Sequence, residues 1–221
     1  MKELTVENLF SLEHTLAAEL LKTKTYPWEA LKEIKDFILT IGATLSPDVY
    51  EKKGDNIWIA KSAKIAPTAS ITGPCIIGED TEVRHCAFIR GSALIGNGCV
   101  IGNSTEIKNS IIFDSVQVPH YNYIGDSILG YKAHTGAGAI TSNVKSDKTP
   151  VKIKYGDSAI ETGLKKFGAM LGDNVEIGCG SVLNPGTVIG KNSIVYPLSS
   201  VRGFVKANSI YKKATEIAER R

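Results

Sequence analysis

The sequence predicts a mainly β protein whose body is a parallel β-helix, and two patterns predict it. Stepping by six from Ile59 gives Ile65, Ile71, Ile77, Val83, Ile89, Ile95, Ile101 and Ile107, every one a β-branched aliphatic. Four residues after these positions stand Ala63, Ala69, Cys75, Thr81, Ala87, Ala93, Cys99 and Thr105, every one small. The beat resumes at Leu171, Ile177, Leu183, Ile189, Val195 and Val201, with Ser181, Thr187, Ser193 and Ser199 as small positions. A six-residue period does not fit a helix, because about 3.6 residues per turn would spread these aliphatics around the cylinder. A short strand followed by a tight corner does fit it, with each aliphatic inward and each small residue at a corner. Three such units close a triangular coil of about eighteen residues, and coils that cannot bury their apolar side alone must stack. Gly78, Gly96, Gly102, Gly172, Gly178 and Gly190 directly follow an aliphatic, where a turn of unusual φ is expected.

Residues 1–46 are expected to form a helical cap. Leu9, Leu12, Leu16 and Leu20 make one helical stripe across residues 3–22, with Thr5 as N-cap. Pro27 opens a second helix with the face Leu31, Ile34, Phe37, Ile38 and Ile41, closed by Gly42. The two helices are expected to plug one open end of the solenoid, since an uncovered sheet edge invites aggregation; the competing reading is a docking module for a partner chain. Residues 47–205 are the solenoid, interrupted at about 145–170. That excursion carries Lys145, Lys148, Lys152, Lys154, Lys165 and Lys166 against Asp147, Asp157 and Glu161, as a solvated loop or a lid would. Residues 206–221 read as a short terminal helix.

The 221 residues carry a formal net charge of +3, which gives no preference for nucleic acid or a membrane surface. There is no run of eighteen apolar residues, and MKELTVENLF is not a signal peptide. Cys75, Cys86, Cys99 and Cys179 show no C-x-x-C spacing, so no metal site and no dithiol chemistry are expected. These features fit the cytoplasm.

Arg90 and Lys108 lie eighteen residues apart, each directly after its aliphatic, so they stack on adjacent coils about 4.8 Å apart. Two like charges at that spacing repel by ~1 kcal/mol in water and by more in a drier cleft. One reading is a clamp for an anion, most simply a phosphate; the other is that both splay into solvent, as Arg84 does. After Ile107 the inward positions run Ile112, Val118 and Ile124, one residue early, which places an irregularity at VPHYNYIGDS. His120 lies in it, and neutral imidazole suits proton abstraction near pH 7. A lone histidine is also often structural. In HTGAGAITSN, Gly136, Ala137 and Gly138 either let a ligand run close along the backbone or merely make a tight corner.

FIRGSALIGNGCVIGNSTEIK, HYNYIGDS, GAGAITSN and GLKKFGAMLGDNVEIGCGSVLNPG resemble the hexapeptide-repeat acetyltransferase domain of the bifunctional glucosamine-1-phosphate N-acetyltransferase / N-acetylglucosamine-1-phosphate uridylyltransferase family, in its archaeal-type form, from about Ile57 to Val205. The resemblance implies a left-handed parallel β-helix, a homotrimer with sites between subunits, and acetyl-CoA as co-substrate. It implies direct attack of an amino-sugar phosphate, glucosamine 1-phosphate above others, on the thioester. In that reading His120 is the general base, and Arg90, Lys108 and Tyr123 hold the sugar phosphate. Asn143 lies near the acetyl and amine groups, where it or a backbone N–H steadies the oxyanion. Ala137, between Gly136 and Gly138, contacts acetyl-CoA, and Lys148 is the candidate for a lysine that reaches the site, though it stands about one residue out of register with it. The chain departs from the bacterial pattern at His134, where those enzymes carry a sugar-side asparagine, and at Cys179 and Pro197, where the cofactor groove has serine and alanine. The first 46 residues are too short for a nucleotidyltransferase domain and lack a glycine-rich nucleotide loop, so no nucleotidyl transfer is expected from this chain.

Two other readings compete. A metal-dependent hydratase of the γ-carbonic anhydrase kind needs three converging histidines, and only His85, His120 and His134 are at hand within the repeat. A non-catalytic trimeric module would dock a separate sugar-phosphate nucleotidyltransferase chain, but has no use for the set His120, Tyr123, Arg90 and Lys108.

Overall fold

A computed structural model describes residues 1–213 and 216–219 of the chain. The solenoid is as expected: short strands stack in parallel, coil on coil, along three faces. Its interior is three columns of inward side chains set by the strand register. One runs Ile59, Ile77, Ile95, Ile112, Leu129, Leu171, Ile189, Val205. A second contains Ile89, Ile107, Ile124, Thr141, Leu183 and Val201, and a third Val83, Ile101, Val118, Thr135, Ile177 and Val195. From Val83 onward all of these are buried.

Corners need left-handed backbone, and one line of corners places Cys86, Ser104, Tyr121, Gly138, Gly180 and Leu198 at φ between 53° and 70°. The glycines that directly follow the aliphatics are not those left-handed positions. They are glycine because the next coil passes too close: a Cβ on Gly96 would stand 2.7 Å from the backbone N of Asp114.

The N-terminal segment corrects the expected pair of end-plugging helices. Residues 3–22 break into short turns, Lys2–Leu4, Val6–Leu9, Leu12–His14 and Ala18–Lys22, followed by a 3-10 helix Pro27–Lys32 and an α-helix Ile34–Gly42. They lie along one flank of the solenoid. The reason is a column of outward residues on that face: Trp58, Ile76, Leu94, Ile111, Ile128, Met170, Val188 and Phe204. Every one is apolar, and the first seven are at most 8% exposed. A face apolar on both sides must be covered. Helix Ile34–Gly42 packs on the strands Cys75–Ile77, Ala93–Ile95 and Glu106–Ile112, Trp28 stacks on Phe167, and Phe10 meets Phe113. Polar pegs fix the strap: Ser11 and Lys191 both bond the buried Asp173, and the His14 ring stacks on Tyr131. The first coil stays open at its end, around a cavity of about 570 Å³ whose lining includes Ile59, Ala63, Ile65, Ala69 and Ile71.

The slip in the beat lies earlier than the HYNY stretch. Ile89 pairs with Ile107 but Ala93 with Ser110, so one residue is lost at the corner after Lys108. Asn109 makes that corner with φ +47°, and Asp126 repeats it one coil on at +49°. The basic excursion leaves at the same corner. It forms a hairpin, Lys152–Tyr155 with Ser158–Glu161, that packs down the solenoid through Tyr155 on Phe204. The terminal helix expected over 206–221 is, among the described residues, a strand pair, Ser209–Lys213 and Glu216–Glu219. Val195 pairs with Tyr211 sixteen residues on, so the stacking continues into an aromatic inward position, but two residues early, because the coil is shortened between Val201 and Phe204. The remainder of that stretch lies outside the described residues.

Candidate functional site

One face carries most of the expected residues. Its outward column reads Ser70, Phe88, Glu106, Tyr123, Ile140, Val182, Ser200. His120 stands on one rim of this face, and Arg90, Lys108 and Asn143 stand on the other.

At the second rim the two cations are not a bare clamp. Arg90 donates to Glu106 at 2.6 Å across an exposed pair, and Lys108 bonds both oxygens of Asp126 at 3.0 and 3.1 Å. Acids interleaved between the cations remove the repulsion that the stacking alone would create. Asp126 also accepts from Asn109 Nδ2 at 2.9 Å and from Asn143 Nδ2 at 2.5 Å, and Asn143 Nδ2 reaches Tyr123 Oη at 3.1 Å. The Tyr123 ring folds back over Gly125, where a Cβ would come within 2.7 Å of Cζ, which explains the glycine in YIGDS. Burial, then the charges of Asp126 and Glu106, push the Tyr123 phenol above its ordinary value, so the hydroxyl keeps its proton at neutral pH. Its oxygen takes the Asn143 amide, leaving the O–H to donate outward. The cluster rests on the strap: Asn109 Nδ2 also donates to the Leu31 carbonyl at 3.2 Å, and the excursion is pinned at its ends by Phe167 N to Asn143 O and Gly168 N to Asp126 O.

His120 is held by its backbone and not by its ring. Its N–H donates to Asn122 Oδ1 at 3.1 Å, and its carbonyl accepts from Gly138 N at 3.0 Å. Buried Asn122 locks the corner, donating to the carbonyls of Gly136 and Ala139. The ring makes no hydrogen bond among the described residues and stands in solvent. Ala137 and Cys179 follow His120 up the same line of corners, both exposed, so a shallow track of small residues leads away from the imidazole. Gly136 itself is glycine because Cys179 packs on it: a Cβ there would be 2.9 Å from Sγ. Gly138 supplies the corner's positive φ of 70°.

Two expected residues fall elsewhere. His134 projects from the neighbouring face, with Nδ1 2.7 Å from Glu176, beside a cavity of about 350 Å³ lined by Ser115, Gln117, Lys132, His134 and Glu176. Lys148 is exposed on a left-handed turn of the excursion, where its backbone N–H bonds Lys145 O. Glu106 and Asp126 were not expected from the sequence. The eighteen-residue step from Lys108 reaches Asp126, but the coil is one residue short there, so the register pairs Lys108 with Gly125 and sets Asp126 over the corner at Asn109.

The thiols offer no hidden nucleophile. Burial pushes Cys75 and Cys99 up to about 12, while Cys86 and Cys179 are exposed. Native protein is therefore expected to react with DTNB at no more than two of its four thiols, and at all of them after denaturation. More than two native equivalents would contradict this burial. Among the described residues no cluster of His, Cys, Asp and Glu has metal-holding geometry, and no helix is long and apolar enough to cross a membrane.

Comparison with known proteins agrees with the resemblance read from the motifs. The chain is 32% identical over 191 residues to a "Bifunctional protein GlmU" of Methanococcus maripaludis, covering 85% of this chain and 46% of that protein. It is 32% identical over 160 residues to the protein of that name from Methanococcus vannielii, covering 72% and 34%. The chain thus spans about half or less of the length of these curated relatives. Among solved structures, a hexapeptide transferase family protein from Anaplasma phagocytophilum aligns with a TM-score of 0.41 and 17% identity, over 74% of this chain and 78% of that one. The GMPPB C-terminal domain family matches residues 54–197, most of the solenoid, and the chain belongs to that family.

Proposed function

We propose that the protein is an acetyl-CoA-dependent N-acetyltransferase of an amino-sugar phosphate, with glucosamine 1-phosphate as the acceptor. One observation carries the reading. A solvent-facing histidine with a fixed backbone stands on one rim of a face whose other rim holds the Arg90–Glu106 pair and, beside it, Lys108, Asp126 and Asn143 hydrogen-bonded together and to Tyr123 on the face. The named relatives, and structural neighbours such as a perosamine N-acetyltransferase of Caulobacter crescentus described in complex with CoA and GDP-perosamine, point the same way.

In this reading His120 takes a proton from the sugar amine, which attacks the thioester carbonyl directly, and CoA leaves as the thiol. Arg90 and Tyr123 Oη meet the phosphate. The Arg90–Glu106 pair is exposed, and exposed pairs are weak, so the guanidinium exchanges its carboxylate for phosphate readily. The pantetheine arm runs along the corner track of Ala137 and Cys179. On one protomer this face is open, and Tyr121, Tyr196 and Leu198 expose 64%, 44% and 85% of their surface along the His120 corner line. That pattern supports a homotrimer packed about this edge with sites closed between subunits, which is where His134 and Lys148 would join from a neighbouring copy.

The second reading, a module that docks a separate nucleotidyltransferase, is favoured by the open first coil, where Ile65 and Ile71 remain partly exposed. A panel of acceptors separates the two. Glucosamine 1-phosphate is expected to give kcat/KM about a hundredfold above unphosphorylated glucosamine, since the latter leaves the cation clamp unpaired. Equal rates with and without phosphate would sink the clamp, and no turnover with any acceptor would leave the docking module.

A further inference from the structure

Asp126 is the residue around which the cluster is organised. Its carboxylate is 5% exposed and gathers Lys108, Asn109 and Asn143. The sharp corner that brings it there, at φ +49°, is one of the few left-handed conformations an aspartate tolerates well. Gly168 N clamps its carbonyl at 2.9 Å.

A carboxylate is an acceptor only, so whatever faces it must donate. This fixes the orientation of the Asn143 carboxamide. One N–H is directed at Asp126 Oδ2 and the other at Tyr123 Oη. A flipped amide would put Oδ1 against the carboxylate instead. With both N–H bonds spent, Asn143 has nothing left to donate to an oxyanion. What it presents is Oδ1, which accepts no hydrogen bond among the described residues.

We infer that Asp126 is a positioning residue that turns the Asn143 amide inward, so that Asn143 Oδ1 accepts a hydrogen bond from the acceptor's amine and aims its lone pair at the thioester. This rests on the proposed acetyl transfer and changes one role within it: the oxyanion is steadied by a backbone N–H, and Asn143 orients the nucleophile.

The test is an exchange of the acid and the amide. In Asp126→Asn the charge is lost and an NH₂ replaces one carboxylate oxygen, so a single neutral oxygen is left for the donors Lys108, Asn109 and Asn143 that two oxygens now share. In Asn143→Asp two carboxylates face each other. Each single variant is expected to lose about 10²-fold in kcat, the scale of a misplaced reacting group, with KM for acetyl-CoA within twofold of the native value. The double variant Asp126→Asn/Asn143→Asp restores a donor–acceptor pair and still presents an acceptor oxygen to the amine. It is expected to recover at least tenfold over either single variant. A purely structural role would lower the unfolding midpoint without that reciprocal rescue. Native kcat in Asp126→Asn, or a double variant no better than the singles, overturns the inference.

An independent readout needs no turnover. The Asn143 side-chain NH₂ signal, assigned by its loss in Asn143→Asp, is expected to exchange slowly with solvent in the native protein and rapidly in Asp126→Asn. Rapid exchange in both overturns the positioning. If the native protein acetylates no amino sugar, the proposed function fails while this readout still decides the role of Asp126.

Discussion

Replacing His120 with alanine is expected to lower kcat for acetyl transfer by about 10²–10⁴-fold, the range supplied by a positioned general base. The loss should fall on kcat, with KM for acetyl-CoA nearly unchanged, because the side chain touches the amine and not the cofactor. The substitution is unusually clean. The ring is exposed and makes no hydrogen bond among the described residues, and the corner is held by the His120 backbone and by Asn122, so the unfolding midpoint should move little. A primary amine of a sugar is largely protonated at neutral pH, so the missing base should be partly replaced by raising the pH of the assay. A variant within threefold of native kcat would mean that the imidazole is a surface group.

Removing residues 1–46 is expected to abolish soluble, folded protein. Trp58, Ile76, Leu94, Ile111, Ile128, Met170 and Val188 face outward on the strapped flank, and each is at most 8% exposed. At about 1.5–3 kcal/mol for each large apolar side chain taken from water, uncovering this column costs on the order of the whole stability of a typical domain, about 5–15 kcal/mol. The truncated chain would also present a long apolar stripe, a hazard for association. It would lose the Leu31 carbonyl that receives Asn109 and the Trp28–Phe167 stack behind the excursion. The readout is solubility and cooperative unfolding of the truncated chain. A soluble, cooperatively folding product would show that the strap is a detachable docking module after all.

What the sequence showed and what it hid follow from the same repeat. Side chains at a six-residue period are compelled inward, so the coil could be read directly from Ile59 to Ile107 and from Leu171 to Val201. The position of the strap is encoded in the face it covers and not in its own residues. Doublets such as Ile76–Ile77, Leu94–Ile95, Ile111–Ile112 and Ile128–Leu129 put one aliphatic inside and one outside on a single face, which marks that face as covered. The terminal strand reads as a helix in the sequence because the beat runs two residues early after Val201 and the inward position that results, Tyr211, is aromatic. Within the site, His120, Tyr123, Arg90 and Lys108 were legible by type and spacing. Glu106 and Asp126 were not, because their role depends on hydrogen bonds across a coil shortened by one residue after Lys108. That same shortening, and not a feature of HYNY itself, breaks the beat.

The most direct measurement of the central claim is release of free CoA from acetyl-CoA with glucosamine 1-phosphate as acceptor, paired with the mass of the acceptor before and after. The predicted result is one CoA released for each acceptor gaining one acetyl group, with both signals lost in His120→Ala. Well-folded native protein that releases no CoA and leaves the amine unmodified would contradict the account.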